Sequence, residues 1–158
     1  MAAGIFINLG SGIKGESEQE GHIDTISASS IQWGVGRAVG TYTSGNRETS
    51  SPSFSELVFT KTFDISSNDI AVAASMGKSL AEVTITLRKD TGEGGIDYLV
   101  YTLTDCIISG YSVSSGGTTP MESVSLNYVK IKSVYKKLAT DHSDAGENEF
   151  EYDLRAQS

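Results

Sequence analysis

The sequence predicts an all-β protein, a closed or nearly closed barrel of about seven strands with one short helix on its flank. Three observations carry that prediction. Several segments alternate apolar and polar residues with the period of a strand. Glycine is abundant (17 residues) and proline scarce (2), and the glycines gather with Ser and Thr between those segments, where strands turn. Only one stretch has helical spacing.

The elements follow in order. Ile5-Phe6-Ile7-Asn8-Leu9 reads as a first strand ending at the turn Gly10-Ser11-Gly12. Residues 22–35 are extended and rich in Ile, Ser and Thr, with Ile31, Trp33 and Val35 expected on the core side. Residues 36–53 carry Gly36, Gly40, Gly45, Asn46 and Pro52 and read as a long exposed loop. Residues 54–63 form the next strand. Ser66-Ser67-Asn68-Asp69 then has the form of a capping box, with Ser66 as N-cap and Asp where Glu or Gln is preferred. Ile70, Ala71, Val72, Ala73, Ala74 and Met76 continue it as a helix, and Gly77 stops it, giving a helix over about residues 66–77.

Residues 80–89 alternate most cleanly: Val83, Ile85 and Leu87 point one way, and Glu82, Thr84, Thr86 and Arg88 the other. The turn at 90–95 leads to a long strand over 96–114, with a bend expected at Gly110. After the turn at 115–120, residues 121–135 form a strand whose apolar phase changes between Leu126, Tyr128 and Val129, Ile131, as at a β-bulge. A polar loop over 140–148 precedes a last strand at 149–155. Long strands joined by Gly-rich turns favour a barrel over βαβ units. Without a repeat or linker, residues 1–158 read as one domain.

Composition narrows the function. The net charge is −8, from 12 basic and 20 acidic side chains, which opposes nucleic-acid binding because phosphate contacts need clustered cations. Lys130, Lys132, Lys136 and Lys137 are explained by alternation in a strand and its loop. A single cysteine, Cys106, excludes an internal disulfide and fits synthesis in a reducing compartment. The N-terminus has neither the basic nor the apolar region of a cleavable signal, and no apolar run approaches a membrane span.

No catalytic, cofactor or metal residues are assigned. His22 and His142 read as exposed polar residues, and Cys106, among strand neighbours, as a buried inert thiol. Asp141-His142-Ser143-Asp144 reads as a flexible acidic loop rather than a ligand set. Gly77-Lys78-Ser79 lacks the preceding glycine of a phosphate-binding loop and follows the helix instead of opening it.

Ordered fragments remain. Ile13-Lys14-Gly15-Glu16-Ser17 and Gly21-His22-Ile23-Asp24 lead to Trp33-Gly34. Phe59-Thr60-Lys61, Asp64 and Ser66-Ser67 precede the helix, and Gly77-Lys78 closes it. An A-x-V-x-I-x-L-x-K strand follows over 81–89. Tyr98, Leu103, Asp105, Ile108 and Ser109 mark the long strand. Pro120-x-Glu122-x-x-Ser125-Leu126-Asn127-Tyr128-x-Lys130-Ile131 completes the series, with Tyr135 after it. In order and spacing, from residue 5 to about 135, this resembles the Hcp (haemolysin-coregulated protein) family of the type VI secretion system.

The resemblance implies a small β-barrel in two sheets with a lateral helix. It also implies a non-enzymatic subunit that assembles as a homohexamer into stacked rings. Such a tube would shelter effector proteins in its lumen and meet a VgrG-like spike protein and a contractile sheath. It would involve no nucleic acid, no cofactor and no membrane insertion. The protein would be made in the cytoplasm and exported to the medium or a target cell, a role in virulence. Ser30 and Gln32, out of phase with Ile31 and Trp33, are the expected lumen-facing residues. Gly40, Thr41, Tyr42, Thr43, Ser44, Gly45, Asn46 and Arg47 form the expected ring-stacking loop. The rival expectation is a monomeric ligand-binding or enzymatic barrel, which would need a pocket with converging polar groups.

Overall fold

In a computed structural model, described for residues 4–40, 51–91, 95–138 and 144–158, the chain is built from strands and one helix. The elements are β1 (Gly4–Asn8), β2 (Ile26–Ala28), β3 (Ser30–Gln32), β4 (Val35–Gly36), β5 (Ser53–Phe54), β6 (Leu57–Thr62), α1 (Ser67–Met76), β7 (Ser79–Asp90), β8 (Gly95–Ser114), β9 (Met121–Asn127), β10 (Lys130–Leu138) and β11 (Asp144–Asp153). Each of the seven expected strands is present, but three are subdivided. Residues 22–35 break into β2, β3 and β4; 54–63 into β5 and β6; 121–135 into β9 and β10.

All described pairings are antiparallel, in the order β2-β1-β7-β8-β9-β6-β3. β10 joins β8 and carries β11 on its far side, and β4 and β5 form a separate two-stranded sheet. The path begins and ends in neighbouring parts of one chain segment, since β2 and β3 are separated only by Ser29. The Ser29 N–H donates to Thr60 O at 2.7 Å. The two ends of the sheet are therefore joined by chain continuity and this bond, and among the described residues no ladder closes them into a continuous barrel.

The core follows the alternation. Ile7, Leu9, Leu57, Phe59, Leu80, Val83, Ile85, Leu103, Ile108, Val124, Leu126 and Ile131 are buried together with Ile70 of the helix. Irregularities lie where the phase changes. The β7–β8 ladder omits the Ala81/Asp105 pair, and Asp105 has a φ of 53°. Leu80 and Cys106 point inward below this line, Val83 and Leu103 above it. The expected bulge near Tyr128 is the break between β9 and β10 at Tyr128 and Val129, beside the same line, where the Val129 N–H donates to Thr104 O. Aligned irregularities bend a sheet and let it curve toward closure. The bend at Gly110 is also present, as a register shift between Ile108 and Gly110.

Four expectations need correction. Val35 is 52% exposed, because the chain has left the barrel at Gly34 to pair with Phe54 in the small sheet. The last strand starts at Asp144, not Glu149, since Lys136, Lys137 and Leu138 extend its pairing with β10. Ser66 makes no side-chain cap; its hydroxyl turns back to Asp64 Oδ1. Gly77 ends α1 as expected, with φ 61° and the Lys78 N–H returning to Ala73 O at 3.0 Å. The His22 side chain is only 12% exposed; its ring stacks on Phe6 at 4.8 Å and its Nε2 lies 3.1 Å from Asp97, which also pairs with Arg88.

Candidate assembly surfaces

The groups that could do chemistry are placed for structure. Burial, reinforced by the Asp105 carboxylate, pushes the Cys106 thiol up to about 12, so almost no thiolate exists near neutrality. His22 approaches Asp97 and Phe6, not Cys106. His142 lies outside the described residues. Among the described residues no three His, Cys, Asp or Glu side chains converge as metal ligands, and no helix is long and apolar enough to cross a membrane. A pocket of about 430 Å³ between β1, β2 and residues 16–19 offers only Glu16, Glu18, Ser17 and Gln19 as polar side chains besides Ser27.

Among the described residues, a dense polar constellation is buried beneath the start of α1. Lys61 on β6 is fully buried, and the three N–H groups of its ammonium are shared among four acceptors within reach: Glu122 Oε1 of β9 (2.6 Å), Asp64 Oδ1 (2.9 Å), Ser67 Oγ (3.0 Å) and Thr62 O (3.1 Å). Ser67 Oγ donates to Glu122 Oε1 and accepts from the Asp64 N–H, and Tyr111 donates to Glu122 Oε2. Burial alone would raise the Asp64 carboxyl. The hydrogen bonds from Ser66 and Lys61 and the ammonium charge outweigh it and hold the carboxyl below its usual range. Burial first, then the Glu122 carboxylate, pushes the Tyr111 hydroxyl far up, so it stays a donor. Sequence reading placed Lys61 and Glu122 only in a pattern of motifs and missed that they meet.

What the surface offers is strand edge and patterned faces. Among the described residues β11 pairs on one side only, with β10. Its Leu154 neighbour donates inward to Val129 O, while the Asp153 N–H turns outward to Ser158 O. By the alternation of a strand, the backbone groups of Glu147, Glu149 and Glu151 point away from β10. Such an edge is a template for another strand. Two of its charges are paired within the sheet: Lys130 reaches Glu151 at 2.8 Å and Lys132 reaches Glu149 at 3.4 Å. Beside this edge Trp33, Phe54, Phe150 and Tyr152 stack in one aromatic group, with Phe150 40% exposed.

Ser30 and Gln32 lie on the outer face of β3, both exposed. Ser30 hydrogen-bonds the Thr60 hydroxyl at 2.6 Å, and the register continues this row through Ser123 to Ser112. The row is uncharged and rich in hydroxyls, with Glu56, bound by the Ser109 hydroxyl, beyond its end. Of the expected stacking loop, Gly40 is exposed, whereas Thr41, Tyr42, Thr43, Ser44, Gly45, Asn46 and Arg47 lie outside the described residues.

The model of the family "Type VI secretion system effector, Hcp" matches residues 6–135. The chain is 30% identical to protein hcp1 of Pseudomonas aeruginosa over 158 residues, 98% of this chain and 97% of that protein. Among solved structures, Hcp1 from Salmonella typhimurium superposes with a TM-score of 0.78 at 27% identity, covering 99% of this chain and 97% of the other. A type six secretion system protein reaches 0.89 at 24% identity, with 99% of each chain covered.

Proposed function

We propose that this chain, which belongs to the Hcp family of type VI secretion proteins, builds the tube as hexameric rings that stack and shelter effector proteins in their lumen. The observation that carries the reading is the outer edge of β11. A strand edge unpaired among the described residues, with Glu149 and Glu151 already matched by Lys132 and Lys130 of its own sheet, offers itself to a neighbouring copy, and a heterologous contact that closes on itself makes a ring. The row Ser30, Thr60, Ser123 and Ser112 with Gln32 would face the channel. An uncharged hydroxyl surface can hydrogen-bond many cargo proteins without selecting one charge. Residues 40–47 would reach the next ring. A VgrG-like spike and a contractile sheath would be the tube's partners at its tip and around it, and export through the apparatus would carry the protein out of the cell. The role is structural: the working parts are edges and faces, and no reacting group enters.

The test is solution mass by light scattering with negative-stain imaging, on the natural chain and on Glu149→Pro. A species of six times 16.8 kDa with an open centre supports the ring. Proline at 149 removes an N–H that points away from β10, a place where an isolated subunit tolerates it. A folded but monomeric Glu149→Pro protein would assign the ring contact to this edge. A natural chain that stays monomeric at all concentrations overturns the ring. Intact Glu149→Pro rings would leave the ring standing and remove the edge from it.

A further inference from the structure

We infer that α1 is tethered by the ionic cluster at its first turn rather than by its apolar face, and that it opens as a unit while the barrel stays closed. The apolar attachment is slight. The buried side chains of α1 are Ser67, Ile70 and Ala73, of which only Ile70 is large, while Val72 and Met76 are 55% and 75% exposed. A helix of ten residues does not hold itself together in water. The polar attachment is dense. Lys61 of β6, Glu122 of β9 and Tyr111 of β8 converge from three strands on Ser67 and on Asp64 just before the helix. Every member has a partner: the Ser66 N–H and hydroxyl both reach Asp64 Oδ1, and the Ser67 hydroxyl links the helix to both charges.

A charged network of this kind fixes one geometry and fails as a whole, because a member left alone carries a full desolvation penalty. Apolar contacts give way gradually. Removing one link should therefore release the helix without loosening β7 and β8, whose mutual pairing holds Leu80, Val83, Ile85 and Leu103.

Two readouts separate local from global opening. Amide hydrogen exchange at Ile70 to Gly77 follows the helix. Labelling of Cys106, the only cysteine and buried on β8, follows the barrel. Both are measured on the full chain in one oligomeric state. In Ser67→Ala, helix exchange should rise on the order of tenfold while Cys106 labelling changes less than about twofold. An equal rise in both, or in neither, overturns the inference. Ile70→Ala provides the contrast: if it raises helix exchange relative to Cys106 labelling more than Ser67→Ala does, the apolar face is the tether. Ser67→Ala keeps every core side chain, so it stays folded where Lys61→Met could fail.

Discussion

Lys61 occupies the inward phase of β6 with Leu57 and Phe59, and Glu122 the inward phase of β9 with Val124 and Leu126. A charge in the apolar phase of one strand is a mismatch; opposite charges in two paired strands are a contact, and their register sets Lys61 directly against Glu122. That signal was present in the sequence, but reading it needed the strand order, which alternation alone does not supply. Lys61→Met leaves two carboxylates without their cation and should cost about 3–5 kcal/mol in urea unfolding. The Asp64 carboxyl gives the cluster a pH signature. Its folded value lies below 3.8, so its contribution is present above the unfolded value and lost as pH falls through the folded one. The stability gap between the natural chain and Asp64→Asn should hold from neutrality to about pH 4 and shrink below it. A gap that instead shrinks between pH 6 and 8 would assign the linkage to another group. Gly15 belongs to the same scale. A Cβ there would lie 2.3 Å from Thr25 O and 2.7 Å from the Ile26 Cα, both backbone, so Gly15→Ala should lower stability by about 1–3 kcal/mol.

At the scale of the element, the helix shows how far local rules reach. Gly77 was legible as its stop because a left-handed residue after an apolar run is a local requirement. Gly77→Ala should cost about 1–2 kcal/mol, seen as a lower thermal midpoint with unchanged oligomer mass. Ser66 departs from the expected cap because its hydroxyl can either accept from the helix amides or donate to Asp64, and the choice of Asp64 rests on Lys61 arriving from β6. The strands repeat the lesson. The bend at Gly110 and the phase change after Leu126 were legible, since each leaves a mark in its own segment. The departure of Val35 from the barrel was not: the alternation Ile31, Trp33, Val35 runs on unbroken, and the chain turns away because Phe54 pairs with Val35 and stacks with Trp33.

Over the whole molecule, the all-β class and the lateral helix could be read from periodicity, while the joining of β2 and β3 through Ser29 and the pairing of β11 with β10 depend on which strands meet. The same limit holds for the assembly surfaces. Ser30 and Gln32 were singled out by phase alone, and only the ladder shows them continuing into Thr60, Ser123 and Ser112. Charge makes the stacking of rings testable. Each copy carries −8, so the faces of two rings of the proposed tube would repel over a distance that salt sets, about 30 Å at 0.01 M and 8 Å at 0.15 M. The proposed ring contact would differ, because Lys130 and Lys132 already pair with Glu151 and Glu149 along the β11 edge. Raising salt from 10 to 500 mM should therefore lengthen stacks in negative-stain images while the mass of the single ring stays constant. Stacks that shorten with salt would mean that unlike patches, not screened like charges, govern the contact, and Arg47 in the 40–47 segment would be the first cation to replace. Rings that themselves fall apart would place an uncompensated ion pair in the ring contact and move it away from the β11 edge.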